Sequence, residues 1–183
     1  MSETRRVLTP PDGYSPGVGF YLAGMEEVRQ QLQEAVADMT TRDVGCAAAP
    51  GAHSIGALVL HIGEAEWWWM QCVVSGRAIT EEDRCAPYWD VLKVPDAFAA
   101  KNHSAQFCLD EAGKIRQQTK ELLATFSDDD LQREFSFERR GKTYDHTLRW
   151  ILHHLIDHEA QHKGQILMLK RLLGCQNVEL FDS

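Results

Sequence analysis

Two histidines near the end of this 183-residue chain give its clearest chemical signal. His158 and His162 lie four residues apart in the segment 150–173, whose apolar residues repeat with the period of an α-helix. Residues i and i+4 share a helix face, so both imidazoles can reach one point beside the helix. Imidazole is a good ligand for zinc, nickel, copper and iron. The pair therefore predicts half of a transition-metal site.

The pair also lies on the apolar stripe of its helix. At about 100° per residue, one set of side chains falls within roughly 40° of a single direction: Ile151, Leu155, His158, His162, Gln165 and Leu169. A single inward histidine is usually a core residue that is hydrogen-bonded to the backbone. Two at this spacing favour a ligand role, because buried polar groups need partners.

A third histidine has the same property on another helix. Ser54, Leu58, Ala65, Trp68 and Cys72 lie within roughly 60° of His61 by the same helical arithmetic. His61 together with the pair makes a neutral three-ligand site with an open position. That arrangement is typical of catalytic rather than structural zinc-type centres. We therefore predict that His61, His158 and His162 bind a divalent transition metal, most simply zinc or nickel.

Three more side chains are predicted to border this site. Glu64 is placed to orient the His61 imidazole, as carboxylates commonly do, although a plain surface glutamate is an equal alternative. His154 lies one turn before His158 and is expected to support a metal ligand or to line a channel, with a structural role as an equal alternative. Gln165 either hydrogen-bonds a ligand or fills the space between helices. His153 and Glu66 are not candidates for the site, because both are expected to face solvent.

Trp67, Trp68 and Trp69 cannot share one helix face, because successive residues turn by about 100°. Trp68 is predicted to point inward with His61, and Trp67 and Trp69 to flank it. Either neighbouring helices or a second subunit must cover the flanking pair, since exposed tryptophans form an interface patch. The triplet therefore favours a homodimer.

The rest of the chain supplies an all-α scaffold for these residues. Helical periodicity predicts a four-helix bundle, with helices over about 17–39, 53–74, 104–126 and 150–173. Residues 134–144 alternate apolar and polar and turn at Arg140-Gly141, which predicts a small hairpin before the last helix. The domain plan is an irregular arm over 1–16, one bundle domain over 17–174 and a tail over 175–183. The irregular stretches 76–102 and 134–146 are expected to shape a pocket.

Composition excludes several other classes of protein. The formal net charge is −8 with no dense Lys/Arg run, which argues against nucleic acid as a partner. No apolar run is long enough for a membrane span, and no secretory signal opens the chain, so we expect a cytoplasmic protein. The five cysteines contain no C-x-x-C pair, which argues against a disulfide framework or a thiolate zinc site.

Two segments resemble one known family. Residues 154–166, HLIDHEAQHKGQI, resemble the closing-helix motif H-x3-H-x3-H-R-G-Q of the DinB-like (YfiT-type) metalloenzyme superfamily. Residues 54–67, SIGALVLHIGEAEW, resemble its second-helix pattern of a histidine that follows a helix start and precedes an aromatic. Lys163 replaces the usual arginine, and we expect this to alter only a salt bridge outside the site. Together the likeness covers about 17–173.

The resemblance carries expectations about fold and activity. It implies an up-down-down-up four-helix bundle that dimerises and binds zinc, nickel or another metal through His61, His158 and His162. Characterised relatives include S-transferases and isomerases that use low-molecular-weight thiols such as bacillithiol or mycothiol.

Three functions remain open at this stage. The first is a metal-dependent enzyme, either a thiol S-transferase or a related transferase or hydrolase, that acts on a small molecule. The second is a non-catalytic, metal-stabilised bundle that binds a small ligand or acts in stress response; a fourth ligand from Glu64 or His154 would favour it. The third is bis-histidine haem binding in the bundle.

Overall fold

Four long helices, joined by short helical pieces and one hairpin, make up the protein. The computed structural model describes residues 7–93 and 102–174. The long helices are α1 (Pro16–Val36), α3 (Ile55–Trp67, continued by a π-helical segment, Trp68–Val74), α5 (Ala105–Leu123) and α6 (Leu148–Leu172). The short elements are α2 (Thr41–Gly45), α4 (Glu81–Arg84), a 3₁₀ turn (Asp129–Gln132), β1 (Glu134–Arg139) and β2 (Lys142–Thr147).

Local capping chemistry sets the helix ends. The side chains of Ser54, Ser104 and Thr147 each accept a hydrogen bond from a backbone N–H three residues later, and so begin α3, α5 and α6. Gly76 follows the π-helical segment at φ +71°, and Gly174 follows α6 at φ +68°. Both are left-handed positions where glycine carries little steric cost.

Contacts between the helices define an up-down-down-up bundle. Helices α1 and α6 run parallel, because Arg29 meets Glu159 and Asp38, just beyond α1, meets Lys170. In the same way α3 and α5 run parallel: Leu58 and Cys108 share one core cluster, and Met70 and Leu123 share the other. Helices α3 and α6 are antiparallel, because His61 meets His158 whereas Trp69 meets Trp150. The all-α bundle expected from the sequence is therefore confirmed.

The two apolar clusters are separated by a buried charged layer. One residue comes from each long helix, and all four are at most 5% exposed: Arg29, Glu66, Arg116 and Glu159. Along every long helix this residue lies between the members of the two clusters. Two guanidinium groups face two carboxylates, so the layer's formal charges balance.

The outward orientation predicted for Glu66 is wrong, since this side chain is 2% exposed. Helical arithmetic from His61 gave the correct side of α3. However, that side faces α1 and α5 rather than solvent, because Glu66 accepts hydrogen bonds from Arg29 and Arg116.

The predicted hairpin forms before the last helix. β1 and β2 pair antiparallel from Glu134↔Thr147 to Arg139↔Lys142. Arg140 and Gly141 make the turn with φ of 53° and 71°, and two positive φ values are typical of a type I′ hairpin turn. Phe135 is buried against the bundle, so the hairpin is anchored to the domain.

The N-terminal arm, the cysteines and the helix lengths can be compared with the sequence predictions. Before Pro16 the described part of the arm, from residue 7, contains no helix. Cys46, Cys72, Cys85 and Cys108 are free thiols, whereas Cys175 and the predicted tail lie outside the described residues. Among the described helices, none combines the length and apolar character needed to cross a membrane.

Candidate metal centre

The bundle brings the three predicted histidines together. Ring centroids are 5.1 Å apart for His61–His158, 5.1 Å for His61–His162 and 4.4 Å for His158–His162. One nitrogen from each ring lies within 4.8 Å of the other two. All three residues are only half-buried, and Gln165 on the same face is exposed. The group therefore lies on the flank of the bundle between α3 and α6, whereas the charged layer occupies the centre.

The nitrogen geometry fits a shared metal ion. The Nε2 atoms of His158 and His162 are 3.2 Å apart. Two nitrogens bound to one tetrahedral zinc at about 2.0–2.1 Å would lie about 3.3 Å apart. Three imidazole nitrogens form a donor set suited to zinc, nickel, copper or iron. The three-histidine group could therefore hold a divalent transition metal.

Glu64 orients His61. Its Oε2 lies 3.1 Å from His61 Nδ1, and its Oε1 accepts a hydrogen bond of 2.6 Å from the backbone N–H of Asp90. With Nδ1–H donating to the carboxylate, the Nε2 lone pair is left for a metal, as in many carboxylate–histidine pairs. Glu64 thus links the imidazole to the chain segment after α4.

Gln165 plays the corresponding part for His162. Its Oε1 lies 2.8 Å from His162 Nδ1, which leaves Nε2 directed at His158. Between them in sequence, Lys163 points away from the site and donates to the Gln31 side-chain oxygen on α1. The replacement of the family's arginine therefore produces a hydrogen bond between helices rather than a salt bridge.

The surroundings of His158 and His162 favour neutral imidazoles. Burial lowers the pKa of His158 to about 3, with the neighbouring His162, His61 and His154 adding to the effect. Burial also lowers the pKa of His162, against a hydrogen bond to Gln165 that raises it. Because only the neutral ring binds a metal, near neutral pH these two side chains are already in the ligand form.

Neither candidate for a fourth ligand joins the group. Within residues 7–93 and 102–174, the only histidine, cysteine or carboxylate side chains close enough together to hold a metal are His61, His158 and His162. Both oxygens of Glu64 are already engaged, as described above. His154 stacks on Trp150 with centroids 4.9 Å apart, and its ring lies 5.5 Å from Trp69. The described parts of the chain therefore supply three ligands and no fourth.

A cavity of about 640 Å³ adjoins the histidine group. His61, His158 and His154 form part of its wall, together with Ala65, whose small side chain leaves room beside His61. The two irregular stretches expected to shape a pocket supply much of the rest: Ile79, Trp89, Asp90, Lys93, Phe137, Glu138 and Arg139. The volume is in the range of small-molecule sites.

The tryptophan triplet departs from its predicted arrangement. Trp67 and Trp69 are 2% and 8% exposed, whereas Trp68, predicted to be inward, is half-buried and lines the cavity. Trp68 keeps the α-helical hydrogen bond to the Glu64 carbonyl and lies on the same side of α3 as His61, but that side borders the cavity and is only half-buried. Trp67 packs on Trp89, and Trp69 on Phe137. The chain itself covers both rings, so they give no support to a homodimer, which stays a prediction.

The buried charged layer was missed at the sequence level, although a signal for it existed. Arg29 continues the apolar spacing of Leu22, Met25 and Leu32 on α1, and Arg116 lies next to Ile115 on the inner face of α5. A charged residue at a stripe position indicates a buried partner. The partner's identity depends on contacts between helices, which periodicity in one helix cannot supply.

Fold and site together define a mostly helical bundle protein with a three-histidine group able to hold a metal ion. Residues 25–166 match the family model of the DinB superfamily, and the chain belongs to that superfamily. No curated protein shows significant sequence similarity to it.

Proposed function

We propose that the protein is a metal-dependent enzyme acting on a small molecule held in the cavity beside His61, His158 and His162. The observation that carries the proposal is a three-nitrogen group that has no fourth protein ligand within the described residues and lies beside this cavity. A structural metal would need a fourth protein ligand.

The chain's own residues have distinct parts in this proposal. Glu64 and Gln165 fix the tautomers and ring orientations of His61 and His162 through their contacts to Nδ1. Burial keeps His158 neutral. A divalent metal held there would act as a Lewis acid on a substrate oxygen or would lower the pKa of a thiol or water. Ala65 and the aromatic wall leave space for the reacting molecule.

Thiol-dependent S-transfer is the chemistry we favour, with related transferase or hydrolase reactions next. Support comes from membership of the DinB superfamily and from the sequence resemblance to thiol-using relatives. Two of the described cysteines are poor alternative nucleophiles, because burial raises the pKa of Cys108 to about 12 and that of Cys72 above its ordinary value.

Metal analysis of purified variants tests the proposal. We expect about one divalent transition metal per chain in the wild type and its loss in His158→Ala and His61→Ala. His153→Ala is the matched control, because His153 is an exposed histidine on the same helix. Full metal content in His61→Ala would overturn the assignment of the ligands.

A second measurement separates the enzyme from a non-catalytic metal-stabilised bundle. Cobalt-substituted protein should change its visible spectrum when a low-molecular-weight thiol is added, because a metal held by three protein ligands admits an external ligand. An unchanged spectrum at saturating thiol would indicate a closed site and favour the non-catalytic function.

A further inference from the structure

The cavity beside the three histidines has an aromatic wall built from three separate parts of the chain. Trp68 and Trp69 come from the π-helical segment and Phe137 from β1, with ring centroids 5.0 Å (Trp68–Phe137) and 5.3 Å (Trp69–Phe137) apart. On another part of the wall Trp89, which follows α4, lies 5.9 Å from Trp67. These pairs meet edge to face, at interplanar angles between 80° and 90°.

Three of these rings keep accessible surface. Trp68, Trp89 and Phe137 are half-buried and line the cavity, whereas Trp67 and Trp69 are buried in the core. Aromatic side chains contribute most of their stabilisation when their surface is removed from water. The ring surface that stays accessible in the cavity is therefore a surface that a ligand can cover.

The polar groups nearest the histidines are occupied by partners in the chain. Glu64 binds His61 and the Asp90 backbone N–H, and the Asp90 carboxylate pairs with Lys93 at 2.7 Å. The two other charged side chains of the wall are the exposed neighbours Glu138 and Arg139, whose charges are opposite. The wall therefore has three carboxylates and two cations, and the surplus carboxylate, Glu64, is already engaged by His61 and the Asp90 N–H rather than free to select an ionic group.

The aromatic wall lies close to the proposed metal position. His154 lies between the two, with its centroid 5.5 Å from Trp69 and 5.8 Å from His158. A ring placed against the wall therefore shares one cavity with His61 and His158.

We propose that the substrate class of this site is an uncharged aromatic or heteroaromatic small molecule, whose ring contacts Trp68, Trp89 and Phe137 while a donor atom on a short arm reaches the metal position at the histidine group. The inference rests on the proposed function, because it uses the metal-bearing site as one of its two anchors. Edge-to-face contacts favour an aromatic ring over a saturated ring of similar size.

The test uses three hydroxamates with one metal-binding group and different heads: phenylacetohydroxamate, cyclohexylacetohydroxamate and trimethylammonioacetohydroxamate. Calorimetric titration of zinc-loaded protein gives each Kd. We expect the phenyl compound to bind about tenfold more tightly than the cyclohexyl compound, since two or three aromatic contacts distinguish them. The cationic compound should bind more weakly than the phenyl compound.

Variants of the aromatic wall test which rings produce the preference for the phenyl compound. Phe137→Leu and Trp89→Leu should each reduce the phenyl-over-cyclohexyl ratio toward one, and because they lie on different segments, a folding defect in one leaves the other informative. Phe20→Leu is the control: Phe20 is a 52% exposed ring on α1, and its replacement should leave the ratio unchanged.

The outcomes separate the two proposals. If the protein does not retain zinc, or binds none of the three hydroxamates, the proposed function fails along with this inference. Equal Kd values for the phenyl and cyclohexyl compounds, or tightest binding of the trimethylammonium compound, would overturn the aromatic substrate class alone.

Discussion

Glu66 on α3 and Arg116 on α5 form a two-bond ion pair inside the bundle, with Oε1–Nε at 2.8 Å and Oε2–Nη2 at 3.0 Å. Each side chain is at most 5% exposed. Arg29 and Glu159 complete the layer, so α1, α3, α5 and α6 are all joined at one level. Buried charges need opposite charges and hydrogen bonds at fixed positions, so the layer restricts how the four helices can slide along one another.

Removal of one charge from this layer should strongly destabilise the protein. We expect Glu66→Gln to lower the free energy of unfolding by about 3–5 kcal/mol, because two buried guanidinium groups lose a carboxylate partner. Urea denaturation followed by circular dichroism measures the change. Glu121→Gln, at an exposed carboxylate on α5, should change stability by no more than about 0.5 kcal/mol. Equal stability of the two variants would contradict the role given to the layer.

The Glu66 carboxylate should make the free energy of unfolding depend on pH. Burial raises the pKa of Glu66, but attraction to Arg116 and Arg29 outweighs it, so the folded-state pKa lies below the ordinary value of 4.5. A lowered pKa means that the unfolded chain takes up the proton first. The contribution of Glu66 is therefore complete above pH 4.5 and decreases as the pH falls through the folded-state pKa.

Denaturation curves over a pH series check this dependence. The difference in unfolding free energy between the wild type and Glu66→Gln should be constant above pH 4.5 and shrink below it. A difference that grows as the pH falls would mean that folding raises, rather than lowers, the pKa of Glu66.

Glu64 should affect metal affinity through His61. Glu64→Ala removes the acceptor at Nδ1 and the anchor of the Asp90 N–H, so we expect zinc affinity to fall about 10–100-fold. Glu64→Gln keeps an acceptor oxygen, so its zinc affinity should fall less than that of Glu64→Ala. Competition with a zinc-binding dye measures both, with Glu34→Ala, an exposed carboxylate on α1, as the control. Unchanged affinity in Glu64→Ala would show that His61 does not need this orientation.

Local periodicity explains why the histidine group could be found from the sequence. The spacing of His158 and His162 is a property of one helix, and the Arg140-Gly141 turn is a property of two residues. Glu66 and Trp68 show where such reasoning fails. The direction of Glu66 was correct relative to His61, but only the packing of α1 and α5 decides that this direction is buried. Trp68 does lie on the His61 side of α3, but periodicity in one helix cannot show that this side borders a cavity and is only half-buried.

Alanine substitutions at two helical glycines should change the stability of the protein in opposite directions. A Cβ at Gly63 on α3 would lie 3.1 Å from Ile115 Cδ1 and 3.3 Å from Ala112 Cα, and backbone cannot move aside as a flexible side chain can. Gly63→Ala should therefore push α3 from α5 and destabilise by about 1–3 kcal/mol.

Gly113 on α5 is the matched position, because a Cβ there meets no atom within 4 Å. Gly113→Ala should stabilise by about 0.5–1 kcal/mol, since alanine loses less backbone entropy in a helix. Thermal denaturation of both variants measures whether each is more or less stable than the wild type. Stabilisation by Gly63→Ala would mean that α3 and α5 are not in such close contact, and the position of Glu66 against Arg116 would then need revision, because the same helix approach brings that pair together.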